Sequence, residues 1–236
     1  MPSAAERLIV AFDSSDLSRA LKLAKQLRGV VRYAKIGSVL FTAAGPAAIQ
    51  RLRAMGFEIF LDLKFHDIPS TVEQSCRVAV RHGVSMLTVH ASGQRAMLEA
   101  AALGVRREAA RLGVPRPRVI GVTVLTSVDG TRKQALTNRV VGLASQAQRA
   151  GLDGVVASAH EASAIRRRMG RRFLIVCPGI RLTDHRASDH LRVASPGEAM
   201  ARGADFLVVG RPITEADDPR SMVQRILAEM EARLSC

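Results

Sequence analysis

The sequence predicts an α/β protein with the (β/α)8 (TIM) barrel fold, forming a single domain over residues 1–236. Eight short apolar runs rich in β-branched residues alternate along the chain with helical patterns. Continuous apolar runs of this kind are typical of parallel strands that are buried on both faces. The chain length of 236 residues also agrees with the size of about 250 residues that is usual for eight such units closed into a barrel.

The predicted strands, in chain order, are residues 8–13, 33–37, 58–64, 86–90, 119–126, 154–160, 173–178 and 206–210. Helix signals lie between them. Ser195-Pro196-Gly197-Glu198 has the pattern of a capping box with proline at the first helical position, and Asp218-Pro219 repeats the cap followed by proline. A doubly wound open sheet is the alternative. It would require a Gly-x-Gly-x-x-Gly turn after the first strand, where Asp13-Ser14-Ser15-Asp16 stands instead.

Composition narrows the class of protein. There is no low-complexity tract and no apolar run near the roughly 20 residues needed to span a bilayer, and the polar amino end does not resemble a signal peptide. The three cysteines, Cys76, Cys177 and Cys236, include no Cys-x-x-Cys pair, so reduced thiols are expected. We therefore expect a cytoplasmic protein without a membrane partner.

The most informative motif is Asp62-Leu63-Lys64-Phe65-His66-Asp67, which ends the apolar run of the third strand with three charges. Side chains alternate along a strand, so Asp62 and Lys64 are predicted to point the same way. An unpaired buried charge costs several kcal/mol, so these groups need partners. They are either a structural ion pair or part of an active site.

Active sites of (β/α)8 barrels lie at the carboxyl ends of the strands, so the strand ends give the candidate residues. Phosphate sites are frequent after strands seven and eight, which here supply Arg181, His190, Gly210 and Arg211. A phosphate ester is therefore the predicted ligand. The other candidates at strand ends are Asp13, Lys35, Asp62, Lys64, Asp67, Thr126, Ser127 and Pro178.

The alternating signs of Lys35, Asp62, Lys64 and Asp67 favour the ionised form of each group. An ammonium held beside carboxylates can deliver a proton to a developing carbanion. A carboxylate close to a substrate carboxylate repels it in the ground state, and the repulsion ends when carbon dioxide leaves. This pattern predicts a decarboxylase that uses no cofactor and no metal.

At these residues the chain closely resembles the orotidine 5′-monophosphate decarboxylase family. The resemblance covers nearly the whole chain in seven segments, which are AFD (11–13), KIG (35–37), DLKFHDIPST (62–71), VHASG (89–93), TVLTS (123–127), PGIR (178–181) and VGRPI (209–213). It implies a barrel that binds a nucleotide, needs no metal or cofactor, and forms a homodimer with shared active sites.

The resemblance also implies a role for each matched residue. Lys64 would protonate C6 of the product, and Asp62 would press on the substrate carboxylate. Asp67 and Thr71 would reach into the neighbouring subunit's site. The remaining contacts would be to ribose (Asp13, Lys35), to the pyrimidine or nearby ribose (Thr126, Ser127) and to phosphate (Arg181, Gly210, Arg211). The chain departs from the family at His190, where a glutamine usually bridges phosphate and base.

Two other functions remain open on the sequence alone. A metal-dependent epimerase or keto-sugar-phosphate decarboxylase on a similar barrel would use His90, His160, Asp62 and Asp13 as ligands. A non-catalytic RNA-binding protein would use the net charge of +14 and the cluster Arg166-Arg167-Arg168 with Arg171-Arg172. A solvated helix face is the favoured interpretation of the cluster. Only 3% of residues are aromatic, so no base-stacking platform is visible and no nucleic-acid partner is expected.

Overall fold

Eight parallel strands form a closed barrel in chain order, and β8 pairs with β1 to close it. This computed structural model describes residues 3–125, 133–182 and 192–234. The predicted (β/α)8 barrel is confirmed and the open sheet is wrong. The strands are β1 Leu8–Ala11, β2 Tyr33–Gly37, β3 Glu58–Phe65, β4 Met86–His90, β5 Arg118–Val122, β6 Gly154–Val156, β7 Leu174–Cys177 and β8 Phe206–Val209.

Helices cover the outside of the barrel. They are α1 Leu17–Leu27, α2 Ser38–Ala44, α3 Pro46–Ala54, α4 Pro69–Arg81, α5 Gln94–Leu112, α6 Lys133–Arg149, α7 Ala159–Met169, α8 Pro196–Ala201, α9 Arg211–Thr214 and α10 Pro219–Leu234. The predicted capping box is present at α8, where Ser195 and Glu198 each bond the other's backbone N–H. Asp218 accepts from the first backbone N–H groups of α10. Within the described residues, no helix is both long and apolar enough to cross a membrane.

Several strands are shorter than predicted, and β6 differs most. It ends at Val156 because Ser158 is the N-cap of helix α7. The hydroxyl of Ser158 accepts from the backbone N–H of His160 at 3.4 Å. The prediction that His160 ends a strand is therefore wrong. Asp13 likewise lies two residues beyond the end of β1.

The apolar core has two layers. Side chains from alternate strand positions fill the barrel interior, where the rings of Tyr33 and Phe206 meet edge-on with centroids 5.5 Å apart. A larger layer packs between the strands and the helices. These interior side chains, which we call the apolar floor, fill the barrel. A ligand site is therefore expected at the carboxyl ends of the strands.

One buried carboxylate joins helices α4 and α5. Glu108 accepts from three arginines, which are Arg111 at 2.6 Å, Arg81 at 2.7 Å and Arg77 at 3.1 Å. These hydrogen bonds hold the pKa of Glu108 well below its usual range, and the one from Arg111 has the largest effect. The cluster therefore stabilises the outer layer only while the carboxyl is ionised.

Candidate active site at the carboxyl ends of the strands

Strand alternation places charged side chains directly above the apolar floor. Tyr33 and Phe60 belong to the interior layer, and Lys35 and Asp62 follow each of them by two residues. The register pairs Gly37 of β2 with Asp62 of β3, so the two charged residues lie on neighbouring strands near the same end. The sequence-predicted site residues of β2 and β3 are thus brought together by the period of the strand.

Four of the predicted residues form an alternating chain of charges, which we call the charged array: Asp13, Lys35, Asp62 and Lys64. The ammonium of Lys35 lies 3.0 Å from Oδ1 of Asp13 and 3.4 Å from Oδ2 of Asp62. The same Oδ2 lies 2.9 Å from Nζ of Lys64. Each carboxylate therefore has an ammonium partner, as a partly buried charge requires.

The members of the charged array differ in exposure. The side chains of Lys35 and Asp62 are only 10% and 12% exposed, whereas that of Lys64 is 35% exposed. Lys64 therefore presents its ammonium to the space above the barrel, while Asp62, which both lysines contact, holds it from below. Its backbone is unusual, with φ of +54°, and the pairing of β3 with β4 is irregular between Leu61 and Phe65.

A cavity of about 790 Å³ opens above the charged array, within the range of about 300–1,000 Å³ of small-molecule sites. Eight of the residues predicted from the sequence line it, namely Asp13, Lys35, Asp62, Lys64, Pro178, Arg181, Gly210 and Arg211. Arg19 and Lys22 of α1 also line it, and neither was identified from the sequence. The excess of cationic groups suits an anionic ligand.

Two arginines of the cavity, Arg181 and Arg211, follow β7 and β8. Arg181 is buried, and its guanidinium donates to the carbonyl of Ile180 at 2.8 Å. Gly210 precedes the four-residue helix α9, of which Arg211 is the first residue. Loops after the last two strands with a short extra helix are a frequent phosphate site in this fold.

A buried ion pair supports this side of the cavity. Arg192 lies 2.6 Å from Oε1 of Glu161 on α7, and its other terminal nitrogen donates to the carbonyl of Leu125 at 3.3 Å. The backbone N–H of Arg181 donates to the carbonyl of Ala194, and the N–H of Ala194 donates to the carbonyl of Gly179. Arg192 thus ties helix α7 to the chain that follows β5.

Asp67 and Thr71 lie outside the cavity. Both are exposed, at the start of α4, and Oδ1 of Asp67 accepts from the backbone N–H of Ile68 at 2.6 Å. Thr71 belongs to a separate groove of about 610 Å³, which is lined mainly by apolar side chains of α2, β3 and α4. The neighbouring Ile68 is 63% exposed. The predicted residues Thr126, Ser127 and His190 lie outside the described residues.

The metal-site alternative needs His90, His160, Asp62 and Asp13 in one place, and the structure does not assemble them. The ring of His160 lies 3.0 Å from the guanidinium of Arg202 on the helical layer. His90 ends β4 beside His66, with ring centroids 5.3 Å apart. Burial of the ring lowers the pKa of His90, and electrostatic repulsion by His66 and Lys64 lowers it further. Among the residues described, no group of three or more His, Cys, Asp or Glu side chains could hold a metal ion.

The arginine cluster near α7 is not one uniform basic face. The guanidinium of Arg166 donates to the carbonyl of Gly203 at 2.7 Å and lies 2.6 Å from Oδ2 of Asp205. It therefore serves the packing of α7 against the segment before β8. The other four members of the cluster, Arg167, Arg168, Arg171 and Arg172, are exposed.

Comparison with known proteins agrees with this geometry. Residues 6–226 match the model of the orotidine 5′-phosphate decarboxylase / HUMPS family. The chain belongs to this family. A protein of Moorella thermoacetica named orotidine 5′-phosphate decarboxylase is 47% identical over 97% of this chain and 93% of its own length. One of the same name from Nitrosococcus oceani is 45% identical over 95% and 97%.

Solved structures of this decarboxylase family give the same result. The crystal structure of orotidine 5′-phosphate decarboxylase from Lactobacillus acidophilus superposes with a TM-score of 0.81 at 34% identity, covering 95% of this chain and 99% of that one. The family resemblance seen in the seven sequence segments is thereby confirmed.

Sequence reasoning missed two residues beside the charged array. Gly37 ends β2 where a Cβ atom would lie 2.7 Å from Oδ1 of Asp13 and 2.9 Å from Nζ of Lys35. Thr88 follows Met86 of the interior layer by two residues, so the strand period could have identified it as pointing inward.

Proposed function

We propose that this protein decarboxylates orotidine 5′-monophosphate to uridine 5′-monophosphate in de novo pyrimidine synthesis, within one barrel domain and without metal or cofactor. The observation that carries the proposal is the charged array, in which the ammonium of Lys64 faces the cavity and is held 2.9 Å from Asp62. Family membership supplies the substrate.

In the proposed reaction, Asp62 lies against the carboxylate of the bound substrate. Two like charges in a partly dry site repel each other, and this repulsion ends when the bond from C6 to the carboxylate breaks and carbon dioxide departs. The electron pair left on C6 takes a proton from the ammonium of Lys64. The resulting neutral amine regains a proton from solvent. Lys35, which contacts both Asp13 and Asp62, keeps the carboxylates paired throughout.

The other end of the nucleotide is assigned to the arginine side of the cavity. Arg181, Gly210 and Arg211 would hold the phosphate, with Pro178 in the wall beside them, and Asp13 with Lys35 would hold the ribose. Guanidinium groups suit phosphate because several N–H donors can contact it at once. Contacts of Thr126 and Ser127 with the pyrimidine or ribose, and of His190 with the phosphate, stay predictions.

We also propose a homodimer in which Asp67 and Thr71 contribute to the partner's site. Both residues lie outside the cavity of their own chain, next to the exposed Ile68 and the apolar groove. Apolar surface exposed in this way is typical of an interface. A cytoplasmic location is proposed because Cys76 and Cys177 are unpaired thiols, and subcellular fractionation tests it.

The reaction is tested by incubating the purified protein with orotidine 5′-monophosphate and a chelator, and following the loss of the substrate's absorbance. Lys64→Ala should abolish turnover while uridine 5′-monophosphate still binds, because the ammonium is needed where carbanion charge develops. Lys25→Ala, at an exposed lysine of α1, is the matched control and should retain activity. Near-normal turnover by Lys64→Ala would show that another group delivers the proton.

Shared sites are tested by subunit exchange. Homodimers of Asp67→Ala and of Lys64→Ala should each be inactive, and mixing them should restore activity, since one of the two sites in a heterodimer would hold both native residues. Absence of recovery, despite exchange demonstrated by mass spectrometry, would mean that each site is built from one chain.

A further inference from the structure

Thr88 occupies the space beneath the charged array. It lies in the middle of β4 and is fully buried. Its hydroxyl oxygen is 2.9 Å from the backbone nitrogen of Lys64 and 3.1 Å from Oδ1 of Asp62. One side chain therefore contacts both residues to which the proposed reaction assigns the chemistry.

The two partners fix the direction of both hydrogen bonds. A backbone N–H can only donate and an ionised carboxylate can only accept, so the hydroxyl accepts from Lys64 and donates to Asp62. The main chain of Lys64 is thereby connected to the side chain of Asp62 through a single oxygen atom.

The backbone of β3 needs this support at Lys64. The register of β3 with β4 shifts between Leu61 and Phe65, and Lys64 has the positive φ of +54°. Such a conformation costs a non-glycine residue free energy and persists only where the surroundings hold it. The hydroxyl of Thr88 accepts a hydrogen bond from the backbone N–H of Lys64, in the stretch where the pairing of β3 with β4 is shifted.

The same contact also orients the carboxylate of Asp62. Thr88 holds Oδ1 from below, so Oδ2 is the oxygen that faces both Nζ of Lys64 at 2.9 Å and Nζ of Lys35 at 3.4 Å. A partial rotation of the carboxylate, short of the half-turn that exchanges its two equivalent oxygens, would break the hydrogen bond to the hydroxyl. A buried carboxylate that loses a donor is destabilised.

We propose that Thr88 is a positioning residue for the decarboxylation: its hydroxyl sets the carboxylate of Asp62 and the backbone of Lys64 relative to each other. Thr88 does not line the cavity, so it acts through these two residues and not on the substrate. The inference rests on the proposed function, because it takes Asp62 and Lys64 as the residues that carry out the reaction.

The test is Thr88→Val, which keeps the shape of the side chain and removes the hydroxyl. We expect kcat to fall about 10- to 100-fold, the range given by loss of a hydrogen bond to a charged group. The Kd of uridine 5′-monophosphate should change less than about threefold, because the product has no carboxylate for Asp62 to oppose. Thr88→Ser restores the hydroxyl and should bring kcat back to within about threefold of wild type.

Thr123→Val is the matched control. Thr123 is also buried, and its hydroxyl donates to the carbonyl of Val156 at 2.8 Å and not to the charged array. Its loss should lower the Tm about as much as Thr88→Val does, with kcat unchanged. If Thr88→Val does not fold, Thr88→Cys decides, because it keeps the size and offers only a weak donor and acceptor. A large fall in kcat with unchanged product affinity then supports the proposal.

The outcomes separate this inference from the function on which it rests. Wild-type kcat in Thr88→Val or Thr88→Cys, with Lys64→Ala inactive, would overturn the role of Thr88 and leave the proposed function intact. Absence of turnover of orotidine 5′-monophosphate by the wild-type protein would overturn the function itself. Equal losses of kcat in Thr88→Val and Thr88→Ser would also overturn the proposal, because packing and not the hydroxyl would then matter.

Discussion

Gly37→Ala probes the charged array from a position that takes no part in the reaction. The added Cβ would lie 2.7 Å from Oδ1 of Asp13 and 2.9 Å from Nζ of Lys35, both well inside the roughly 3.5 Å of ordinary contact. Asp13 is half-exposed and can rotate away, whereas Lys35 is buried among its neighbours. We therefore expect Asp13 to move by roughly 0.8 Å, which breaks its 3.0 Å hydrogen bond with Lys35 and weakens the ion pair.

The expected effects on stability and activity differ in size. Gly37 has φ of −90° and ψ of −177°, which alanine adopts without strain. Weakening of the ion pair, in which Asp13 is half-exposed, should cost about 1 kcal/mol or less of folding free energy. Alanine restricts the unfolded chain more than glycine does, which should stabilise the fold by about 0.4–1 kcal/mol and offset that cost. The free energy of unfolding should thus stay within about 1 kcal/mol of wild type. Loss of the proposed ribose contacts of Asp13 and Lys35 should lower kcat/KM about 10- to 100-fold.

Steady-state kinetics and urea denaturation measure the two effects, with Gly142→Ala as the control. Gly142 is exposed within α6, and its added Cβ would meet nothing within 4 Å. This variant should gain about 0.5–1 kcal/mol of stability with unchanged kinetics. A wild-type kcat/KM in Gly37→Ala would refute the assignment of Asp13 and Lys35 to the ribose.

Three further predictions follow from the phosphate site and the buried carboxylates. Arg211→Ala should lower kcat/KM far more than Arg168→Ala, because the binding energy of the phosphate is used at the reacting centre. Arg168 is an exposed arginine of α7 and serves as the control. Equal, small losses of kcat/KM in the two variants would contradict the phosphate site. Glu161→Ala removes one partner of a buried ion pair and should lower the free energy of unfolding, measured by urea denaturation, by about 3–5 kcal/mol. The control Glu99→Ala, in the exposed pair with Arg95, should lower it by about 0–1 kcal/mol. Glu108→Gln should be less stable than wild type at pH 7. Because the pKa of Glu108 is lowered in the folded protein, its stabilisation is lost as pH falls below the ordinary value of 4.5. The Tm difference between Glu108→Gln and wild type should therefore shrink with acidification, and a constant difference would exclude this mechanism.

The barrel and most of the cavity could be predicted because both follow from strand periodicity. Apolar runs locate the strands, and the carboxyl ends of parallel strands meet at one end of the barrel. Lys35, Asp62 and Arg211 were identified in this way. His160 was placed wrongly because Ser158 competes with the strand for the backbone, although Ser-x-x-Glu at residues 158–161 is itself a capping pattern.

The remaining features depend on tertiary contacts that no local pattern contains. The strand period predicts that Asp62 and Lys64 share a face, but not the shifted register or the positive φ through which they meet. The role of Gly37 depends on Asp13, 24 positions earlier in the chain. Arg192 lies 67 positions after Leu125, whose carbonyl it contacts.

The left-handed backbone of Lys64 sets stability against activity at one position. Among the described residues, only Lys64 and Gln94 have a positive φ without being glycine, and the conformation costs an L-residue about 1–2 kcal/mol. Glycine would relieve that cost and remove the ammonium at once. Because Lys64 is the proposed proton donor, selection for heat resistance alone is expected to favour inactive proteins here, so a thermostable form of this enzyme must be sought among variants screened for turnover as well.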